Sequence, residues 1–341
     1  LCMDGGGSRG LVCLTFLARL EKMTGRRVSD LFDLVVGTST GGIVAFSLGL
    51  VKLSVEDTTR LYRQLLAEIF AGSEKQGGFA KIVSIFGNSD LSRYSVETLE
   101  TQLKKHTPNV SMIDTQMDPG ALKVCAIATL VSQTPAEPYV MRNYEHPTGH
   151  SSRYLGSSRL KPWQALRASS AAPSYFPEMD YGRRPFKMRF QDGGCYANNP
   201  AGIAVHEARR IWGNRPIDCV LSLGTGRTEV ERSVYSRRLL TRILNTLVES
   251  ATDVDRVHHC LLDTMPQGTY FRFQPIGKDF GMELDETDVK VLDSLEAATN
   301  KYIDEHMDDF TALCQALLGK KEKVSARAHG HSRNHSVPVN V

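Results

Sequence analysis

The chain has 341 residues, with 41 Lys and Arg against 38 Asp and Glu for a formal net charge of +3, and 41% of its residues are hydrophobic. That is apolar material for one large α/β domain or two ordinary ones, and the charge is too mild to select nucleic acid as a partner. Seven cysteines, scattered and never spaced C-x-x-C, argue against a zinc site or a disulfide framework and for a reducing, intracellular compartment.

The chain opens inside what reads as a first core strand, without an initiator Met, so it is expected to be a fragment with any targeting segment upstream. Asp4-Gly-Gly-Gly-Ser-Arg-Gly10 follows. So dense a glycine run invites close approach to the backbone, and three occupants compete. Gly5, Gly7 and Gly10 fit G-x-G-x-x-G, the cradle of a dinucleotide pyrophosphate, with Asp30 or Asp33 about 20 residues on as the ribose-binding acid. A P-loop fails, because Leu11 and Val12 stand where Lys and Ser/Thr are required. The third is an oxyanion hole, in which the bare N–H groups face an acyl-transfer intermediate.

Apolar residues at Leu11, Leu14, Leu17, Leu20 and Met23 predict a helix after the glycine loop. A short strand, Leu34 to Val36, then breaks at Gly-Thr-Ser-Thr-Gly, and a buried helix covers Ile43 to Leu50. Glu56 to Phe70 is an amphipathic helix with Ser54 as its N-cap, and Tyr94 to His106 is another. Ala121 to Val131 suits a buried central strand, with Glu137 to Tyr144 as its neighbour. Pro162 to Ala172 reads as a helix, Phe186 to Asp192 as a strand, Ala201 to Trp212 as a helix and Asp218 to Leu223 as a strand. Long helical patterns at Leu239 to Leu262 and Asp285 to His306 flank a strand at Tyr270 to Phe273.

This alternation predicts a three-layer α/β/α fold with a largely parallel central sheet over residues 1–319. Residues 320–341, polar and carrying His329, His331 and His335, read as a disordered tail. The longest apolar stretch, Ile43 to Val51, falls short of the roughly 20 residues that span a bilayer.

Gly37-Thr38-Ser39-Thr40-Gly41 is G-x-S-x-G placed between a strand and a helix, which makes Ser39 the candidate nucleophile. A serine hydroxyl needs a group to take its proton. Either a histidine does so in a triad, with His206, His258 or His259 as candidates, or a carboxylate does so directly. Asp192 ends a strand before Gly193 and Gly194, an active-site position in a sheet of this kind.

The segments DGGGSRG, GTSTGG and DGG, in that order, resemble the patatin-like phospholipase family, and SRYLGSSRLKPWQALRASSAAPSYF and VLSLGTGR resemble its calcium-independent phospholipase A2 gamma group. The resemblance implies a Ser–Asp dyad without histidine: Ser39 attacks the ester carbonyl, Asp192 is the general base, and the amides of Gly5, Gly6 and Gly7 form the oxyanion hole. Gly10, Gly37, Gly41, Gly193 and Gly194 support the motifs, and Arg9 is expected to anchor the loop on backbone carbonyls rather than meet a lipid phosphate. A dyad calls for no metal and no cofactor, and neither an EF-hand loop nor H-E-x-x-H is found. The implied reaction is hydrolysis of glycerophospholipid acyl esters, with a triacylglycerol lipase or an inactive lipid-binding protein as alternatives.

The implied partner is a phospholipid membrane surface, met peripherally on an organelle that the sequence leaves open. Phe79, Ile82, Val83, Ile85 and Phe86, between glycines, are candidate membrane contacts. The basic amphipathic stretch from Ser236, with Arg237, Arg238 and Arg242, is another, and either surface also suits a homodimer.

Overall fold

The computed structural model describes residues 1–70, 92–117, 121–213, 215–228 and 254–330, with side chains described as far as 319. The apolar residues from Phe79 to Phe86 and the basic stretch from Ser236 to Leu247 lie outside the described residues.

Strand β1 (Cys2–Met3) leads through the glycine loop into α1 (Gly10–Thr24), and β2 (Leu34–Thr38) leads directly into α2 (Thr40–Gly49). Helix α3 (Val55–Ile69) is capped as expected, the Ser54 hydroxyl accepting from the Asp57 N–H at 2.9 Å. Next come α4 (Val96–His106), β3 (Lys123–Leu130), β4 (Glu137–Arg142), β5 (Leu155–Ser157) and α5 (Pro162–Ser169). The hairpin β6 (Met179–Tyr181) and β7 (Met188–Asp192) precedes α6 (Ala201–Trp212) and β8 (Val220–Leu223). The chain continues through α7 (Asp255–Thr264), β9 (Tyr270–Phe273), α8 (Val289–Glu305) and α9 (Met307–Gly330).

Several boundaries shift by a few residues from the sequence reading, as with the strand expected from Phe186, which starts at Met188, and two differences have a visible cause. Helix α5 stops at Ser169, short of Ala172, because the carbonyls of Ser169 and Ala171 turn aside to accept the N–H groups of Gly193 and Asp192. The domain boundary drawn at residue 319 falls inside α9, whose backbone stays helical to Gly330. Lys, Glu, Ala and Arg, all good helix formers, dominate that stretch.

The sheet runs β5-β4-β3-β2-β1-β8-β9, and every pairing from β3 across to β9 is parallel. Alternate residues of each strand enter different cores, as the period of two requires. Met3, Val35, Val124, Ala126 and Leu221 face the core built with α1, α2, α3 and α8. Cys2, Val36, Cys125, Ile127 and Val220 face a smaller core closed by α6 and α7. Helices therefore cover both faces, the three-layer α/β/α arrangement expected from the alternation of elements.

One edge of β3 is shared, and this sharing builds the site. Parallel β2 pairs with its first half and ends with Thr38 opposite Ile127, while antiparallel β7 pairs with its second half, Asp192 opposite Ala128. The carboxyl ends of β2 and β7 thus meet head to head.

Candidate active site

Ser39 is the first residue beyond β2, and its φ of 53° and ψ of −119° place a non-glycine residue in a strained conformation. Such strain persists only where the surroundings impose it. Here the chain reverses so tightly that a Cβ on Gly37 would collide with the Gly41 carbonyl, and one on Gly41 with the Met3 carbonyl. The Ser39 N–H donates to the Ser169 hydroxyl at 2.9 Å, and that hydroxyl donates to the Ile127 carbonyl at 2.6 Å. The elbow is therefore pinned from α5 and β3 as well as by its own glycines.

The Ser39 hydroxyl donates to Asp192 Oδ2 at 2.7 Å, and Asp192 Oδ1 accepts the Gly194 N–H at 2.7 Å. Asp192 is buried, and burial pushes its carboxyl up to about 6 against the opposing pull of the hydrogen bonds from Ser39 and Gly194. A carboxylate so placed can take the serine proton directly. The three histidines weighed for a triad are engaged elsewhere. The His206 ring accepts the Arg153 N–H at 3.2 Å, His258 Nδ1 lies 3.2 Å from the Tyr270 hydroxyl, and His259 packs against the His258 ring.

The glycine loop lies alongside this pair, so close that a Cβ on Gly5 would meet the Ser39 Cβ and the Asn198 side chain. The Gly6 N–H donates to Thr40 Oγ1 at 3.2 Å. Gly7 has a positive φ of 55°, and its carbonyl accepts the buried Tyr62 hydroxyl at 2.5 Å. Arg9 reaches the carbonyls of Gly226 at 3.2 Å and Phe280 at 3.3 Å, and so stitches the loop to segments more than 200 residues away in the chain, 217 and 271 positions on. Gly10 starts α1, and a Cβ there would strike the Tyr62 hydroxyl; one on Gly193 would strike the Ile127 carbonyl.

The dinucleotide reading does not survive the topology. The glycine loop follows the carboxyl end of β1, whereas Asp33 precedes the amino end of parallel β2, and Asp30 lies earlier still. Both acids are exposed, and Asp33 stands at the opposite end of these strands from the loop.

Three supporting residues escaped the sequence reading. Ser169 holds the elbow amide; Thr225 donates its hydroxyl to the Gly5 carbonyl at 3.0 Å; and Arg272, buried on β9, grips Asp4 with two bonds of 2.9 and 2.6 Å. Only Ser169 carried a signal, in the Ser-Ser-Ala-Ala-Pro run that ends α5.

Comparison with known proteins gives the family. The family model described as patatin-like phospholipase matches residues 1–205. Calcium-independent phospholipase A2-gamma of Rattus norvegicus is 38% identical over 324 residues, covering 94% of this chain and 40% of that protein. Phospholipase A I of Arabidopsis thaliana is 34% identical over 370 residues, covering 93% of this chain and 27% of the relative. The 85/88 kDa calcium-independent phospholipase A2 of Rattus norvegicus is 32% identical over 361 residues, again covering 93% of this chain and 40% of the relative. The chain thus spans well under half the length of these curated relatives. Because the family match takes in both the glycine loop and the strand that delivers Asp192 to Ser39, the chain belongs to the patatin-like phospholipase family.

Proposed function

We propose that the chain is a serine acyl hydrolase that cleaves fatty-acyl esters of glycerophospholipids, a phospholipase A, at the surface of a membrane. The observation that carries this reading is the 2.7 Å contact between the Ser39 hydroxyl and the buried Asp192 carboxylate. Asp192 takes the proton as Ser39 Oγ attacks the ester carbonyl, and the tetrahedral oxyanion draws on the amides of Gly5, Gly6 and Gly7, with Gly6 exchanging Thr40 for the new oxygen. Collapse expels the lysophospholipid alcohol, which recovers the proton, and leaves an acyl-serine. Water deprotonated by Asp192 then releases the fatty acid. The names of the relatives supply the phospholipid as substrate class and calcium independence as the expected property. Among the described residues no helix is long and apolar enough to cross a membrane, so the reading has the catalytic domain meet the bilayer from its surface.

The test is fatty-acid release from mixed phospholipid vesicles with chelator present. Ser39→Ala and Asp192→Asn should each fall by at least about 10²–10⁴, the usual contribution of a nucleophile–base pair. A His258→Ala/His259→Ala variant should keep its activity, and loss of activity there would replace the dyad by a triad. A folded parent that hydrolyses no acyl ester would leave lipid binding as the function.

A further inference from the structure

The hairpin joining β6 and β7 has the sequence Tyr181-Gly-Arg-Arg-Pro-Phe-Lys-Met188, and all its residues from Gly182 to Lys187 are exposed. Phe186 at its tip is 84% exposed, more than any other large apolar side chain among the described residues. A single exposed apolar residue is ordinary on a protein surface. Three further observations set this one apart.

The first is direction. Strand β7 runs antiparallel to β3, so in moving from Asp192 back to Met188 it climbs past the carboxyl end of β3, where the Val131 N–H donates to the Arg189 carbonyl at 2.9 Å. At about 3.3 Å per residue, Met188 stands roughly 13 Å beyond the level of Asp192. The tip therefore projects from the same end of the sheet at which Ser39 opens.

The second is charge. Lys187 pairs with Asp180 at 2.6 Å and Arg189 with Asp180 at 2.9 Å and Glu178 at 3.4 Å, whereas among the described residues Arg183 and Arg184, just before Phe186, have no ion pair. The third is rigidity at the base. Met179 pairs with Phe190, which is fully buried and packs edge-on against Tyr139 with ring centroids 5.0 Å apart. An aromatic ring two residues beyond a pair of guanidinium groups without an ion pair, held out on a braced hairpin, matches the layered chemistry of an anionic bilayer surface: phosphate oxygens outside and acyl chains beneath.

We propose that this hairpin is a docking element for anionic phospholipid membranes, in which Phe186 enters the headgroup–acyl boundary and Arg183 and Arg184 bind lipid phosphates. The proposal rests on the phospholipase reading for its purpose, since it brings the mouth of the Ser39 site to the surface that holds the substrate. A ring entering about 5–10 Å leaves the site close above the headgroups, within reach of a partly withdrawn lipid.

Sedimentation with phosphatidylcholine vesicles, alone and with phosphatidylserine, tests it on the whole chain. Phe186→Ala should weaken partition about tenfold on both vesicles, as expected for loss of a mostly buried phenyl ring. Arg183→Gln/Arg184→Gln should lose roughly 30-fold on the anionic vesicles alone, about fivefold per cation, and raised salt should erase that difference. Phe186→Trp should show quenching by brominated lipids that the parent, with Trp163 and Trp212, does not. Hydrolysis of a soluble short-chain ester should be unchanged in all three variants. Parent-like vesicle binding by the Ala and Gln variants, or an unquenched Trp at 186, overturns the proposal. A parent inactive on the soluble ester defeats the hydrolase reading instead, while the partition data still decide the hairpin.

Discussion

As the proposed general base, Asp192 would serve chemistry at the expense of the fold. Burial lifts its carboxyl to about 6, while in the unfolded chain it returns to about 4. Between those values the native state holds a proton that the unfolded state has released, so this group's contribution to stability is complete below about pH 4 and is lost as pH rises through about 6. Above that the ionised carboxylate burdens the fold, yet only the ionised form can accept the Ser39 proton. Activity on a soluble ester should therefore rise with unit slope in log kcat/KM up to about pH 6 and then level. A profile without that limb contradicts Asp192 as the base. Asp192→Asn, expected to lose activity, should be more stable than the parent by about 1–3 kcal/mol at neutral pH and gain nothing near pH 4, as read by urea unfolding at the two pH values. Ser39 and Asp192, which the structure brings to 2.7 Å, were legible as candidates because each sits in a short motif of glycines whose spacing the tight turn dictates. Thr225 and Arg272 were not, because their partners are 220 and 268 residues away and nothing local marks them.

At the scale of elements, legibility followed length. Helix α6 and strand β9 begin and end where the pattern places them, and Ser54 caps α3 as expected. Strands β5 and β6, three residues each, carry no periodicity to read. The decisive event, two strands sharing one edge of β3, is a non-local pairing that no single window contains. Ser169 is the clasp of that junction. Its hydroxyl joins the elbow amide to β3, and its carbonyl accepts the Gly193 N–H at 3.2 Å, so α5 locks β2, β3 and β7 together. Ser169→Ala leaves the Ser39 N–H and the Ile127 carbonyl without that partner, at a cost of about 1–3 kcal/mol. Displacement of Ser39 from the carboxylate should also lower kcat about 10²-fold with little change in KM. Ser169→Thr, which restores the hydroxyl, should recover kcat if the role is positioning. Equal kcat in the Ala variant and the parent removes Ser169 from the account.

Across the whole molecule, the glycine loop is held chiefly by residues beyond the region that the family model covers. Arg272, Thr225, Gly226, Phe280 and Leu284 all bond to residues 4–9, with Leu284 accepting from both the N–H and the hydroxyl of Ser8 at 2.8 and 3.0 Å. The last strand and the segment after it thus close over the first turn of the chain, and the site exists only when both ends have folded. The Asp4–Arg272 pair is the centre of this closure, with the two side chains 1% and 4% exposed. Taken singly, burial opposes ionisation of Asp4, and the guanidinium beside it opposes that effect. Arg272→Met removes the compensation and should cost about 3–5 kcal/mol at neutral pH. The cost should shrink on acidification, because a lone buried Asp4 escapes it by taking up a proton. Adding Asp4→Asn to Arg272→Met removes the charge altogether and should restore most of the stability. Both comparisons are read by urea unfolding across pH. A single variant within about 1 kcal/mol of the parent, or a double variant no better than the single, would mean that the pair does not hold the loop and that the carbonyl contacts of Arg9 suffice.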